Sequence, residues 1–598
     1  MTIASAGDAA LLLAAGSDDH QGGNEAASIA AAIRAAALPG VIDIVPGAQT
    51  VLVTFAPGSW AAPELAGRLR QLAGDPAVLA AVPPPEPVVI DTVYDGPDLA
   101  DVAALTGLTG AEVIARHEAA EYQVGWMGFA PGFGYLTGLD PALAVPRLAS
   151  PRQLVPAGSV AIAGCLAAVY PSASPGGWRL IGRTGAVLWD TRRDPPALLA
   201  PGQRVRFRAV DRLPEPAPPL FTDLVRANPD KAPADRHEIR EESEIRAGER
   251  WIEVLQPGPL TTIQDLGRPG LAHLGVPRSG AADAASLRRA NRLAGNDDND
   301  AGLEVTLGRL ALRFGCDAVV ALAGAPVPVR LTHAGPGSSG TGAPSGQPTG
   351  DRSPDGSAPD ASAPAAATES AFAADSAFAA DSAFAADSAF AADSAFAVPA
   401  GAVLRLGAPP AGLRTYLAIS GGIEVTPVLG SRSADVLSGL GPQPLRPGGR
   451  LRVGRPRSRP GNPSGELPRT ACPGPREVAR LRVIAGPRDD WFAPAALTAL
   501  GTGTFQVTPA SNRTGLRLAG PALDRSREAE LPSEGVAAGS LQVTHDGQPI
   551  LLLADRPVTG GYPVIGVVAA DDLGLAAQLR PGQRIRFAVS PGYPASSR

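Results

Sequence analysis

Lysine is almost missing from this chain: of 52 basic residues only Lys231 is lysine, and it lies in the polar stretch RANPDKAPADRHE. A P-loop needs a lysine after its glycine turn and a Schiff-base enzyme needs a buried amine, so neither chemistry is available. Methionine is nearly as scarce. Met1 and Met127 are the two present, which excludes a carrier lysine flanked by methionines of the kind that holds biotin. Cys165, Cys316 and Cys472 are few, distant and odd in number, so they suggest neither a disulfide framework nor a zinc ribbon and read as small buried hydrophobes. No run approaches the roughly 18 apolar residues of a membrane span, and the opening MTIASAGDAALLLAAG has no basic segment before its apolar one. A cytoplasmic location is expected. The net charge of −6 comes from mixed signs, leaving no basic surface for nucleic acid or membrane. Small ligands and protein partners remain, and any bound anion must be held by arginine, hydroxyls or backbone N–H groups.

What is present is length, glycine and proline. At 598 residues, 44% of them apolar, the chain calls for several domains of about 150 residues each. Residues 1–85 alternate strand-like runs (AALLLAAG, GVIDIVPG, TVLVTFAP) with helix-like ones (EAASIAAAIRAAAL, APELAGRLRQLAG). With a short final strand near Val82, that order predicts a small ferredoxin-like α+β unit, closed by PPPEP. Residues 86–210 open with the strand PVVIDTVYDG and a helix capped by Thr109 and Glu112. Short β-runs between Gly/Pro turns follow, a pattern of β-barrels and sandwiches. Residues 211–249 read as a linker, and 250–588 as a second β-rich half. APGQRVRF in the first half and LRPGQRIRF in the second form a weak internal repeat. The stretch 334–397 is too poor in apolar surface to order itself and ends in AFAADS units that place Phe372, Phe378, Phe384, Phe390 and Phe396 six apart. It reads as a slippage-type insertion without catalytic importance.

His117 ends the capped helix, where the helix dipole favours imidazolium, and the strand after it runs into GFAPGFGYLTGLDP. Phe129, Phe133 and Tyr135 in that turn either pack on protein or form a pocket wall. GSRSAD sets Ser431 and Ser433 around Arg432, a composition suited to an anion or to a hydrogen-bonded turn. Arg183, Arg268, Arg513 and Arg517 are further charge clamps in glycine-rich or hydroxyl-rich stretches. Asp265 and Asp555 sit in turn-rich motifs, where each serves as a base or caps its turn. Tyr562 follows a glycine pair in TGGYP that permits close approach to a flat ligand.

These stretches carry a resemblance. HEAAEYQVGWMGFAPGFGYLTGLD, VPAGSVAIAG and YPSASPGGWRLIGRT resemble the B component of prokaryotic 5-oxoprolinase, also described as allophanate hydrolase subunit 1 or the sporulation-kinase-inhibitor family. PGPLTTIQDLGRPGLAHLGVPRSGAADAA, YLAISGGIEVTPVLGSRSAD, SNRTGLRLAGP and DRPVTGGYP resemble the C component, or allophanate hydrolase subunit 2. The resemblance implies a mainly β fold with cyclophilin-like barrels and a B–C fusion. It implies a hydrolase that opens 5-oxoproline to glutamate with ATP, Mg and a separate 5-oxoprolinase A component, inactive without that partner and carrying no covalent cofactor or resident metal. His117, Asp265 and Asp555 are then the candidate catalytic residues, and the aromatics and arginines above, with Ser431, Ser433 and Tyr562, the candidate substrate-binding ones. The same paired domains form the carboxyltransferase part of urea carboxylase, which is the alternative, followed by a kinase-inhibiting regulator.

Overall fold

The computed structural model describes residues 1–14, 22–80, 86–213, 248–332, 389–391, 393–457 and 469–592. The apolar strands Ala10–Ala14, Val41–Pro46 and Thr50–Phe55 join Thr2–Ser5 in a four-stranded antiparallel sheet. Helices Gly22–Ala35 and Ala62–Ala73 cover it, the second burying Leu65, Ala66, Leu69 and Leu72 on one stripe. The expected strand near Val82 lies outside the described residues. Thr2–Ser5, too short to show a period, takes the sheet edge beside Ala10–Ala14.

Residues 88–209 form the first barrel. Seven strands run in the order 179–183, 159–163, 166–169, 134–137, 122–127, 204–209 and 88–92. The end strands meet through one bridge, Val93 with Arg183, whose two backbone hydrogen bonds are both 2.9 Å. Helix Gly110–Ala119 carries the anticipated capping box: Thr109 Oγ1 accepts from Glu112 N–H at 3.2 Å and Thr109 N–H donates to Glu112 at 2.8 Å.

Beyond the linker, of which 214–247 lie outside the described residues, the second β-rich half is built from two β-bodies. Sheets of seven and five strands share one core in which Ile252, Val254 and Leu312 meet Ile263, Leu303 and Leu417. Helix Ala284–Ala294, capped by Asp283, packs against the smaller sheet. Strands between Val478 and Ser590 then close a second, seven-stranded barrel. Most of the 334–397 insertion lies outside the described residues, but its end does not. Ala389–Ala391 pairs with Val327–Thr332, and Ser394–Val398 pairs with Ala318–Gly324. The last phenylalanine repeat is therefore sheet, because neighbouring edge strands offer the backbone partners that its own composition cannot supply.

The internal repeat has a structural meaning. Arg204–Ala209 and Arg584–Ser590 each pair in parallel with the first strand of their own barrel. In each, the glutamine of PGQR accepts from a backbone N–H three residues earlier, Gln203 from Ala200 at 3.0 Å and Gln583 from Arg580 at 2.7 Å. The motif is a closure device used twice. Among the described residues no helix is long and apolar enough to cross a membrane. All three cysteines are partly exposed, not fully buried as anticipated, and free of disulfides.

Candidate functional site

The segment Asp265–Ala281 leaves the sandwich as a loop closed at its base by Arg268 N–H to Arg278 O (2.8 Å) and Ala281 N–H to Asp265 O (2.9 Å). Its tip enters the first half of the molecule. Leu274 and Val276 are buried in the core of the first barrel together with Leu440. Gly132 N–H donates to Leu274 O at 3.1 Å, and Ala272 N–H to Asp43 at 3.2 Å. One loop thus touches the N-terminal unit and the first barrel while rooted in the second half. Burying a Leu or Val side chain is worth about 1.5–3 kcal/mol, enough to fix such a tip in place.

At the base of the loop Asp265 accepts four hydrogen bonds, from Ser431 Oγ (2.6 Å), Ser433 Oγ, Gly267 N–H (2.8 Å) and Arg432 N–H (2.6 Å). Three of these fall on Oδ1 and one on Oδ2, so Asp265 anchors the GSRSAD turn. Arg432 points away, its Nε donating to Val425 O at 3.1 Å. Arg268 is buried and donates to Val428 O (3.1 Å) and Ser433 O, while its Nη1 has no partner. Burial lowers its pKa, with Asp435, Asp265 and Asp555 opposing.

Asp555 is equally committed. It accepts from Ser279 Oγ (2.6 Å), Val436 N–H (3.2 Å) and, through both oxygens, Arg513 (2.8 and 3.0 Å). Arg513 continues to Glu304 and to Gly280 O (2.7 Å), and Glu304 also meets Arg414 (3.2 Å) and Tyr416 Oη (2.8 Å). Arg513 is therefore a pin between barrel and sandwich. Arg517, four residues on, faces solvent from its strand. Asp435 accepts from its own turn, from Leu437 N–H (3.0 Å), Ser438 N–H (3.1 Å) and Ser438 Oγ. Burial first, then repulsion from Asp555, raises its pKa to about 6, against hydrogen bonds from Ser438. It closes the GSRSAD motif, and only its spacing within that motif could have singled it out.

In the aromatic turn, Phe133 is buried against Tyr170 and Trp178, with ring centroids 5.3 and 5.9 Å away. Tyr135 stacks on Trp126 at 4.8 Å, and burial pushes its hydroxyl up to about 12. These two rings rest on protein. Phe129 is 45% exposed and holds a left-handed backbone, φ 64°. Ser279 (φ 53°) and Leu429 (φ 54°) share that conformation in the facing loops. Non-glycine residues rarely adopt it, and such strain concentrates at functional sites. Gly128 makes the approach possible: a Cβ there would fall 1.9 Å from Thr559 Oγ1 of the second half.

The remaining candidates stand elsewhere. His117 lies within the first barrel, packed on Phe207 and Tyr122, its Nδ1 2.8 Å from Tyr94 Oη. Burial pulls its pKa down to about 3, so the imidazolium expected from the helix dipole does not form at neutral pH: desolvation outweighs the dipole. Arg183 pairs with Asp95 at the surface, 2.8 Å. Tyr562 is 39% exposed beside His545 and Arg525. Among the described residues no three His, Cys, Asp or Glu side chains converge to hold a metal.

Residues 1–199 match the family model Carboxyltransferase domain, subdomain C and D, and residues 274–347 and 366–589 match Carboxyltransferase domain, subdomain A and B. The second half is similar to the C component of 5-oxoprolinase from Escherichia coli K12, 32% identical over 342 residues, covering 56% of this chain and 90% of that protein. The first half is similar to the B component of 5-oxoprolinase from Escherichia coli O157:H7, 43% identical over 173 residues, 28% of this chain and 78% of that protein. Urea amidolyase of Saccharomyces cerevisiae is 28% identical over 58% of this chain, a region equal to 17% of that protein. The crystal structure of TTHA0988 superposes with a TM-score of 0.72 at 32% identity, covering 97% of this chain and 99% of that one.

Proposed function

Since this chain belongs to the carboxyltransferase-domain family, with subdomains C and D ahead of A and B, we propose that it supplies the B and C components of a 5-oxoprolinase in one polypeptide. It opens the lactam of 5-oxoproline to glutamate, with ATP and a separate A component. The observation that carries this reading is the joint match to most of the B component and most of the C component. The urea amidolyase likeness is weaker and spans a small part of that protein.

Hydrolysis of an unactivated lactam requires a better leaving group on the carbonyl carbon, an attacking water and a proton for the departing nitrogen. ATP supplies the activation by phosphoryl transfer. Within this chain, the unpaired Nη1 of Arg268 is the donor for developing negative charge. Asp435, poised near neutrality, carries the proton. Phe129 is the ring of the aromatic turn left exposed to a ligand. Asp265 and Asp555 hold these groups in position.

The test is to mix the purified chain with a candidate A component and measure glutamate released from 5-oxoproline with and without ATP. Release that needs both is expected. No release, together with carboxyl transfer from carboxybiotin, would establish the urea carboxylase alternative instead.

A further inference from the structure

A second polar cluster lies on the other side of the Asp265–Ala281 loop, where it crosses the N-terminal unit. Arg278 spends Nε on Leu266 O (3.3 Å) and Arg556 spends Nε on Val536 O (3.0 Å). Neither donates an Nη hydrogen bond to any described residue, although a guanidinium offers five donors. Both side chains are half-buried, and their immediate chain neighbours Ser279 and Asp555 are hydrogen-bonded at 2.6 Å, which brings the two arginines to one place. Burial is the largest cause lowering the pKa of Arg556, to about 10. Arg34, from the helix Gly22–Ala35, adds a third guanidinium at the rim.

Against these three cations stands one carboxylate, Asp43, which already accepts from Ala272 N–H at 3.2 Å. His273 adds no charge of either sign at neutral pH, since burial and then Arg34 bring it down to about 4. Two half-buried guanidiniums with unspent Nη donors, an exposed third and a single carboxylate leave net positive charge at this seam. Burying unpaired charge is costly, and a purely structural seam would be expected to pair it, as Arg513 is paired.

We infer that Arg278 and Arg556, with Asp43 and Arg34 at the margin, form a binding site for a small anion, a carboxylate or phosphoryl group. The site is assembled from the N-terminal unit, the crossing loop and the second barrel. Paired guanidiniums match the two oxygens of either group. The inference does not depend on the 5-oxoprolinase reading, because anion binding is measured without turnover.

The experiment is isothermal titration of the full chain with inorganic phosphate and, separately, with 5-oxoproline, repeated on Arg278→Gln, Arg556→Gln and Asp43→Asn. Thermal melts in anion-free buffer check that each variant is folded. Binding of phosphate identifies a phosphoryl site, and binding of 5-oxoproline alone identifies a carboxylate site. In either case each arginine variant should weaken binding about tenfold or more, the loss of a charge-assisted contact. Asp43→Asn, which removes the one opposing charge, should tighten it. If neither probe binds the wild-type chain, or if both folded arginine variants bind as wild type does, the site does not exist.

Discussion

Replacing Arg513 with Met separates two roles for this residue, a clamp on substrate charge and a pin between barrel and sandwich. Its side chain is 2% exposed and its partners Glu304 and Asp555 are 1% and 0% exposed. Burial works against its charge, but Asp555 and Glu304 more than offset this and hold it protonated. In the variant Glu304 keeps Arg414, Tyr416 and Ala282 N–H as partners. Asp555 loses both guanidinium donors and keeps only Ser279 and Val436. Stranding a buried carboxylate in this way costs about 3–5 kcal/mol. For bodies of this size that corresponds to a fall of roughly 5–15 °C in melting temperature. Calorimetry at pH 7 should show it, while glutamate release measured well below the melt stays near wild type per folded molecule. Arg517→Met, at an exposed position on the adjoining strand, should change stability by less than about 0.5 kcal/mol. An Arg513→Met protein with an unchanged melt and abolished turnover would refute the pin and restore the clamp.

Asp435→Asn should reshape the pH dependence of both activity and stability. A carboxyl whose folded pKa of about 6 exceeds its unfolded one stabilises the fold below the unfolded value, and that contribution is lost as pH rises toward 6. The wild type should therefore lose about 2 kcal/mol between pH 4 and 6 from this group, and the variant should not; denaturant titrations at both pH values check it. Leu274→Ala should loosen the loop tip in the first barrel by about 2–4 kcal/mol, visible as an earlier calorimetric transition. His117, with a pKa near 3, should keep neutral ring nitrogens from pH 5 to 8. A ring-nitrogen resonance titrating near pH 6.5 would contradict that burial.

Local chemistry was legible in the residues themselves. The Thr109–Glu112 box starts its helix, and the two PGQR segments close two barrels, because turns and caps are made by neighbours along the chain. The stretches 265–280 and 431–435 were also visible as turn-rich motifs, and they do meet. What no spacing revealed is which side of each turn faces protein. Arg513 and Arg517 are four residues apart, yet one is locked between two carboxylates and the other meets solvent. Phe129 and Phe133 share a turn and divide the same way. Asp435 is marked only by its place at the end of GSRSAD, and the altered character of Asp435, Asp43, Arg278 and Arg556 is not written locally, because a titratable group gains it from desolvation and from charges remote along the chain. Residue types and local order thus determined the elements, their caps and the family. Only tertiary packing, by deciding which groups lose water and which charges become neighbours, separated the anchors Asp265, Asp555 and Arg513 from the groups still free to act.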